Sequence, residues 1–206
     1  MPLITSHLAR LLITSSAILK AKADIVASFD PNTTVQIGSI LPQFTLPDAT
    51  GIEIKSASLL AKGPLLITFY RGSWCPFCNL ALRAFQTILP QIEAKGVTFI
   101  AISPELPDIS LSTKEKHELE FTVLSDVGNR CAKELGIVYQ QPEELRGIFE
   151  GLGNDLRKRN GDDSFAVPVP MTILVDGGGV VRKVHVEADY FVRLDPDVTL
   201  GWIDEL

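Results

Sequence analysis

The 206-residue sequence lacks the features that define several large classes of protein. Its three cysteines are too few, and odd in number, for a secreted scaffold held together by disulfides. No segment approaches the ~18 consecutive apolar residues of a membrane-spanning helix. A net charge of −6 leaves no basic excess for nucleic acid or an anionic membrane. We therefore expect a cytoplasmic protein whose partners include neither nucleic acid nor membrane.

Metal binding finds equally little support. Cys75 and Cys78 are spaced like half of a zinc site, but no second Cys-x-x-Cys or Cys/His pair supplies the other ligands. The remaining candidate ligands are scattered along the chain: Cys131, His7, His117 and His185. We expect His117 and His185 to be exposed. The sequence predicts neither a bound metal nor an organic cofactor.

The strongest chemical signal lies between Thr68 and Asn79. An apolar strand, residues 64–70, passes through a Gly-Ser turn into an amphipathic helix whose first turn contains Cys75 and Cys78. Backbone N–H groups and the helix dipole favour a negative charge there, and a thiolate is such a charge. Two cysteines at this spacing can form a disulfide or lower each other's pKa. The pattern favours redox chemistry over inert packing, provided that the pair is open to solvent and one sulfur ionises near neutrality.

The order of predicted elements indicates an α/β protein. Continuous apolar strands at 64–70 and 97–103 flank a helix, as in a buried parallel sheet. Further strands and hairpins are predicted at 40–54, 121–124, 137–139 and 171–186, with helices at 108–120, 126–136, 142–156 and 196–206. Residues 157–163 resemble a polar loop. We divide the chain into an N-terminal helical extension, 1–34, and one domain, 35–206.

The N-terminal extension has two interpretations. It is basic, rich in Ser and Thr, and free of acidic residues before Asp24, as in an organellar transit peptide. Its apolar residues also recur at helical spacing, which predicts an amphipathic helix packed on the domain or on a partner subunit. We favour the structural helix, whose repeating positions are Leu8, Leu11, Leu12, Ile18, Leu19 and Ile25.

Residues 69–80, Phe-Tyr-Arg-Gly-Ser-Trp-Cys-Pro-Phe-Cys-Asn-Leu, resemble the active-site segment of the peroxiredoxins. These form the alkyl hydroperoxide reductase and thiol-specific antioxidant (AhpC/TSA) family of the thioredoxin superfamily. Residues 38–51, 97–105 and 121–136 resemble other parts of the family pattern, so the similarity spans about 36–190. It implies a thioredoxin-like three-layer sandwich, with a mixed central sheet and helices on both faces.

The resemblance permits two alignments of the cysteines. In the peroxiredoxin pattern P-x-x-x-T-x-x-C, the attacking cysteine is Cys78, while Cys75 replaces the threonine and Arg71 replaces the proline. In the thioredoxin pattern W-C-x-x-C, Cys75 attacks and Cys78 resolves. Pro170 stands where peroxiredoxins have an arginine and where thioredoxins have a proline after a cis peptide bond.

The resemblance implies a thiol-dependent peroxidase that reduces hydrogen peroxide or organic hydroperoxides. We predict attack by Cys78 and resolution by Cys75, recycling by a thioredoxin- or glutathione-type reductant, and a homodimer as in many relatives. The substrate pocket would be formed by Tyr70, Arg71, Trp74 and Pro170. The alternatives are a thiol–disulfide oxidoreductase acting on proteins and a redox sensor or interaction module. Cys131 is expected to be a packed core residue, with a distant resolving thiol as its alternative.

Overall fold

The computed structural model describes the backbone of residues 2–206 and the side chains of residues 15–206. The predictions for Leu8, Leu11, Leu12 and His7 concern side chains outside that range. The described helices are α1 Pro2–Ser28, α2 Ser56–Leu60, α3 Pro76–Ala94, α4 Pro107–Lys116, α5 Arg130–Glu134, α6 Arg146–Gly151, α7 Leu156–Asn160 and α8 Pro196–Asp204. The strands are β1 Thr45–Pro47, β2 Glu53–Lys55, β3 Leu65–Phe69, β4 Thr98–Ser103, β5 Thr122–Ser125, β6 Val138–Gln140, β7 Ala166–Pro168, β8 Met171–Val175 and β9 Val181–Val186.

A five-stranded mixed sheet in the order β5-β4-β3-β8-β9 forms the centre of the fold. Strands β3, β4 and β5 are parallel, β8 is antiparallel to β3, and β9 is antiparallel to β8. Helix α3 connects β3 to β4, so the active-site segment leaves the middle of the sheet. The predicted mixed sheet is confirmed, and its central strand carries the cysteine-containing turn.

The alternation of side chains along the strands produces a core on each face of the sheet. Leu66, Phe99 and Leu174 pack with the apolar side of α3 and with Ile203 of α8. Ile67, Ile100 and Ile173 are among the core residues on the opposite face, together with residues of α5 and the β1–β2 hairpin. Every residue of β3 and β8 is buried, which explains why their sequences are apolar except for Thr68 and Thr172, whose hydroxyls lie 3.1 Å apart across the two strands. The three-layer sandwich predicted from the sequence is confirmed.

The local structure differs from the predictions around α7 and around β6. Residues 157–160, predicted as loop, belong to α7, where Asp155 caps the helix by accepting a hydrogen bond from the Lys158 N–H. The polar composition reflects a helix exposed on one side. Strand β6 pairs with β7 in a separate two-stranded sheet, and β7 had not been predicted.

Helix α1 packs on the domain through its last turns. Ala21 and Ile25 are buried, whereas Leu19 is exposed. The structural helix predicted for this segment is therefore present over its described part, while the boundary at residue 34 stays a prediction. Among the described residues, no helix combines the length and apolar character needed to cross a membrane.

Candidate active site

The turn between β3 and α3 depends on one glycine. Gly72 has φ +135°, and a Cβ atom on it would lie 2.5 Å from Nε1 of Trp74. That indole N–H donates a hydrogen bond to the carbonyl of Arg71, and the N–H of Cys75 donates to the carbonyl of Gly72. Cys75 is the N-cap of α3, and Pro76 is its first residue, a position that proline favours. The turn thus places Cys75 and Cys78 at the start of the helix.

The buried carboxylate of Glu105 holds this turn in place. Glu105, which follows β4, is fully buried and accepts hydrogen bonds from the Ser73 backbone N–H at 2.7 Å and hydroxyl at 3.0 Å. Arg159 of α7 pairs with the same carboxylate at 2.9 Å. Burial raises the pKa of Glu105, and the hydrogen bonds from Ser73 and the charge of Arg159 partly offset this rise. Its network connects the turn to β4 and α7.

Both sulfurs are shielded from solvent, so the expectation of an open pair is wrong for this state of the molecule. Cys75 and Cys78 are each 1% exposed. The loop between β9 and α8, residues 187–195, packs against them and is called the cover segment below. Within it, Phe191 stacks on Phe77 with ring centroids 4.4 Å apart. Access to the sulfurs therefore requires movement of a short loop.

Helix α1 and the active-site turn hold the cover segment in place. Lys22 of α1 forms an ion pair with Asp189 at 2.5 Å, and its ammonium lies 4.5 Å from the ring of Phe191. The guanidinium of Arg71 lies 3.8 Å from the ring of Tyr190. An ion pair and two cation–π contacts therefore connect the cover segment to α1 and to the active-site turn.

Electrostatics favour one thiolate in the pair. Hydrogen bonding by the Cys78 thiol lowers the pKa of Cys75 to about 5, assisted by the charges of Arg71 and Arg193 and opposed by burial. Burial and the neighbouring Cys75 sulfur raise the pKa of Cys78. The resting pair thus carries its negative charge on Cys75 at neutral pH. These directions agree with the expected ionisation of one sulfur near neutrality.

Arg71, predicted for the substrate pocket, turns into the protein but does not line the cavity that adjoins Cys78. It is buried, donates a hydrogen bond to the Gln141 side-chain oxygen at 2.9 Å, and lies 4.7 Å from the ring of Trp74. Its aromatic neighbours stabilise the cation and fix its position.

A small cavity of about 20 Å³ adjoins Cys78. Tyr70 and Pro170, both expected at the pocket, line it together with His185 of β9 and Arg193 of the cover segment. The Arg193 guanidinium donates a hydrogen bond to the sulfur of Cys78 at 3.5 Å. The Val169–Pro170 peptide bond is trans, as are all peptide bonds in the described part of the chain, so the cis bond of the thioredoxin pattern is not found.

Sequence reasoning missed three residues of this site: Glu105, His185 and Arg193. His185 is half-buried against the cavity rather than exposed. Arg193 lies 115 positions after Cys78, too far along the chain for any motif to connect them. Glu105 could have been found from the sequence. It lies two residues after the buried strand β4, and a carboxylate buried at that position needs hydrogen-bond donors or a cation.

The third cysteine belongs to another part of the molecule. Cys131 is 4% exposed and packs in the core on the sheet face opposite the cysteine pair. Burial, with Asp126 and Glu134 nearby, raises its pKa, so the thiol stays protonated. These features agree with a packed residue. Across the described residues, no three His, Cys, Asp or Glu side chains lie together in a way that could hold a metal ion.

The fold and this site together define a redox protein of thioredoxin-like architecture, with a cysteine pair at a helix N-terminus. The model of the AhpC/TSA family matches residues 37–184. The chain belongs to the AhpC/TSA family. It is therefore a peroxiredoxin-type oxidoreductase, and the predicted class of activity, a thiol-dependent peroxidase, is confirmed at the level of the family.

Several relatives illustrate the similarity. The chain is 29% identical over 152 residues to chloroplastic peroxiredoxin Q of Gentiana triflora, covering 74% of this chain and 68% of that protein. It is 31% identical over 164 residues to the Suaeda salsa peroxiredoxin Q, covering 80% and 63%. Peroxiredoxin Bcp of Escherichia coli K12 is 23% identical, covering 83% and 97%. The chain thus spans about two thirds of the plant proteins and nearly all of the bacterial one.

Solved structures confirm the fold. Peroxidoxin BcpB of Mycobacterium tuberculosis superposes with a TM-score of 0.65 at 19% identity, over 84% of this chain and 98% of that chain. Reduced Prx3 of Vibrio vulnificus gives a TM-score of 0.66 at 20% identity, over 82% and 99%. The thioredoxin-like architecture predicted from the sequence is therefore confirmed.

Proposed function

We propose that this chain reduces hydrogen peroxide at Cys78 and that Cys75 resolves the oxidised sulfur. The observation that carries the proposal is the cavity of about 20 Å³, which Cys78 lines and Cys75 does not. Its volume suits a molecule little larger than water. A small peroxide that occupies this cavity lies against one sulfur of the pair, next to the Arg193 cation.

The low pKa of Cys75 gives it a role before the attack. The Cys75 thiolate accepts the proton of the Cys78 thiol, as an adjacent base activates a nucleophile. The Cys78 thiolate then attacks one peroxide oxygen. An S–O bond forms, the O–O bond breaks, and the second oxygen leaves as hydroxide, which becomes water on protonation. Arg193 and Arg71 stabilise the negative charge during this step.

Resolution requires no large rearrangement of α3. Cys75 loses its proton again and attacks the sulfur of the Cys78 sulfenic acid, which releases hydroxide and forms the disulfide. Two thiols and one peroxide thus give one disulfide and two waters. Rapid resolution protects the sulfenic acid from further oxidation. A thioredoxin- or glutathione-type thiol then reduces the disulfide by exchange after the cover segment opens.

A peroxide-consumption assay with a thiol reductant tests the activity. Wild type should consume hydrogen peroxide catalytically with a thioredoxin or glutathione system, and Cys131→Ser should match it because Cys131 lies on the other face of the sheet. The Cys75→Ser/Cys78→Ser double variant should be inactive. Wild-type turnover no faster than that of the double variant would refute the proposal.

A second candidate is a thiol–disulfide oxidoreductase that acts on proteins. The specific observation in its favour is the pKa of Cys75 at about 5, which is typical of an attacking thiol in such enzymes. Reduction of insulin disulfides by the reduced protein, without catalytic peroxide consumption, would favour this alternative.

Compartment and assembly are further proposals. We propose a cytoplasmic homodimer, on the basis of the reducing environment that the free cysteines require and of the common behaviour of the family. Light scattering of the purified protein tests the dimer. Fusing residues 1–34 to a fluorescent reporter tests the compartment, since delivery of the reporter to an organelle would identify the extension as a transit peptide.

A further inference from the structure

His185 occupies an unexpected position. It lies on β9 opposite Thr172 of β8 and lines the cavity at Cys78. The residue as a whole is half-buried, but its Nε2 atom is fully buried and has no hydrogen-bond partner. A buried nitrogen without a partner is destabilising. An unpaired polar group that lines a cavity beside a reactive sulfur is placed to bind a ligand that enters the cavity.

The same cavity contains a second unpaired polar atom. The hydroxyl of Tyr70 is buried without a hydrogen-bond partner, and Tyr70 lines the cavity as well. Burial raises the pKa of Tyr70, so its hydroxyl keeps the proton and remains a donor. Arg193 completes the set from the cover segment. Three groups that can donate hydrogen bonds therefore line the cavity that Cys78 lines as well.

We propose that His185 is a catalytic residue that protonates the oxygen leaving from hydrogen peroxide when Cys78 attacks. The inference rests on the proposed function and assigns the proton that the leaving hydroxide needs. The Cys78 sulfur bonds to one oxygen and the O–O bond breaks. The second oxygen receives the Nε2 proton of the imidazole and departs as water.

The position of the ring allows it to recover this proton. Burial lowers the pKa of His185, so the imidazole is neutral at pH 7 and carries one N–H. Because the residue is only half-buried, its ring connects the closed cavity with solvent. A proton taken from water at Nδ1 replaces the one given at Nε2 and leaves hydroxide in the solvent, and proton exchange with water then restores the Nε2–H tautomer. The electrons and protons of the step therefore balance with water as the only further reactant.

The leaving group provides a direct test. Hydroxide is a poor leaving group, since the pKa of water is about 15.7, and gains much from a proton donor. Peroxynitrous acid reacts with a thiolate through the same attack, forming the sulfenic acid, but releases nitrite, which needs no proton to leave. Loss of a general acid should therefore slow the reaction with hydrogen peroxide far more than the reaction with peroxynitrite.

The experiment measures oxidation of Cys78 in the reduced full-length protein by quenched flow, alkylation and mass spectrometry. His185→Leu should slow oxidation by hydrogen peroxide about 10²-fold or more. Oxidation by peroxynitrite should remain within about fivefold of wild type, which also shows that the variant is folded and its sulfur reachable. His185→Gln keeps a polar group in the cavity and should show the same selective loss. His117→Leu, a matched change at the residue that follows α4, should leave both rates unchanged.

Two results would overturn the inference. Equal slowing with both oxidants would make His185 a structural residue, and no slowing would remove it from the reaction. In either case wild-type oxidation of Cys78 leaves the proposed function intact. A wild-type Cys78 that neither oxidant modifies would instead refute the proposed function, and the inference with it.

Discussion

The guanidinium of Arg193 lies 3.5 Å from the sulfur of Cys78. Arg193 belongs to the cover segment, whereas Arg71, the cation that influences Cys75 most, belongs to the active-site turn. Arg71 therefore has a fixed place in the turn. Arg193 moves with the cover segment, which is held by side-chain contacts to α1 and to the turn. Closure of that loop completes the site, and its opening removes a charge from the sulfur.

Arg193 should contribute to the rate of peroxide reduction. A hydrogen bond to a charged group is worth about 1.5–3 kcal/mol, so Arg193→Ala should slow oxidation of Cys78 roughly 10- to 100-fold. Arg193→Lys should recover part of the rate, because it restores the charge. Arg182→Ala, on the exposed side of β9 and paired with Asp176, is the control. Equal rates for Arg193→Ala and Arg182→Ala would show that the contact has no role.

The ion pair between Lys22 and Asp189 should limit access to the cysteines. Partly exposed pairs contribute up to about 1 kcal/mol, so Lys22→Ala should increase the rate of thiol alkylation by about fivefold. Lys20→Ala removes the neighbouring pair with Asp24, which is exposed on the same helix, and should leave the rate unchanged. Alkylation followed by mass spectrometry measures both. If the two variants behave alike, α1 does not restrain the cover segment.

The Cys75 thiolate should appear at acidic pH. Its pKa falls from 9.0 to about 5, so ultraviolet absorbance of the reduced protein should show a thiolate step near pH 5 that Cys75→Ala lacks. Because the pKa of Cys75 is lower in the folded than in the unfolded state, its thiolate stabilises the folded protein. That contribution is complete above pH 9 and is lost as the pH falls through 5. Denaturant unfolding of the reduced protein at several pH values checks this. A first step at pH 8–9 would contradict the assignment.

Gly72 should not tolerate a side chain. Gly72→Ala combines a positive φ with a Cβ 2.5 Å from Trp74, and should reduce both the free energy of unfolding and peroxide turnover. We expect the free energy of unfolding to fall by about 1–3 kcal/mol. Gly177→Ala, in the β8–β9 hairpin, has open space around the new Cβ and serves as the control. Thermal unfolding and activity assays compare the two, and equal stabilities would show that the turn rearranges freely.

Much of this architecture could be predicted because its signals are local. The apolar runs of β3 and β4, the helical spacing of α3 and the Asp-Gly-Gly-Gly turn before β9 each occupy a few consecutive residues. The position of Cys75 and Cys78 at a helix start followed from the same strand-turn-helix pattern. These features persist because propensity, periodicity and tertiary packing agree there.

The rest depended on contacts between distant segments. Arg193 reaches Cys78, and Lys22 pairs with Asp189, across more than a hundred residues. His185 lies in a strand whose sequence alternates as in a strand exposed on one face. Its position at a cavity depends on the cover segment, which supplies part of the cavity wall. The burial of the cysteine pair has the same origin, since a loop more than a hundred residues away in the sequence closes over it. No pattern within a short window contains this information.

The most direct test of the account is to trap the first oxidised sulfur. Reduced Cys75→Ser and Cys78→Ser proteins are mixed with hydrogen peroxide and a sulfenic-acid reagent, and the labelled peptides are identified by mass spectrometry. We predict that Cys75→Ser forms a sulfenic acid on Cys78, more slowly than wild type because its base is lost, and that Cys78→Ser forms none on Cys75. A sulfenic acid on Cys75 in Cys78→Ser, with Cys78 unreactive in Cys75→Ser, would contradict the account and assign the attack to Cys75.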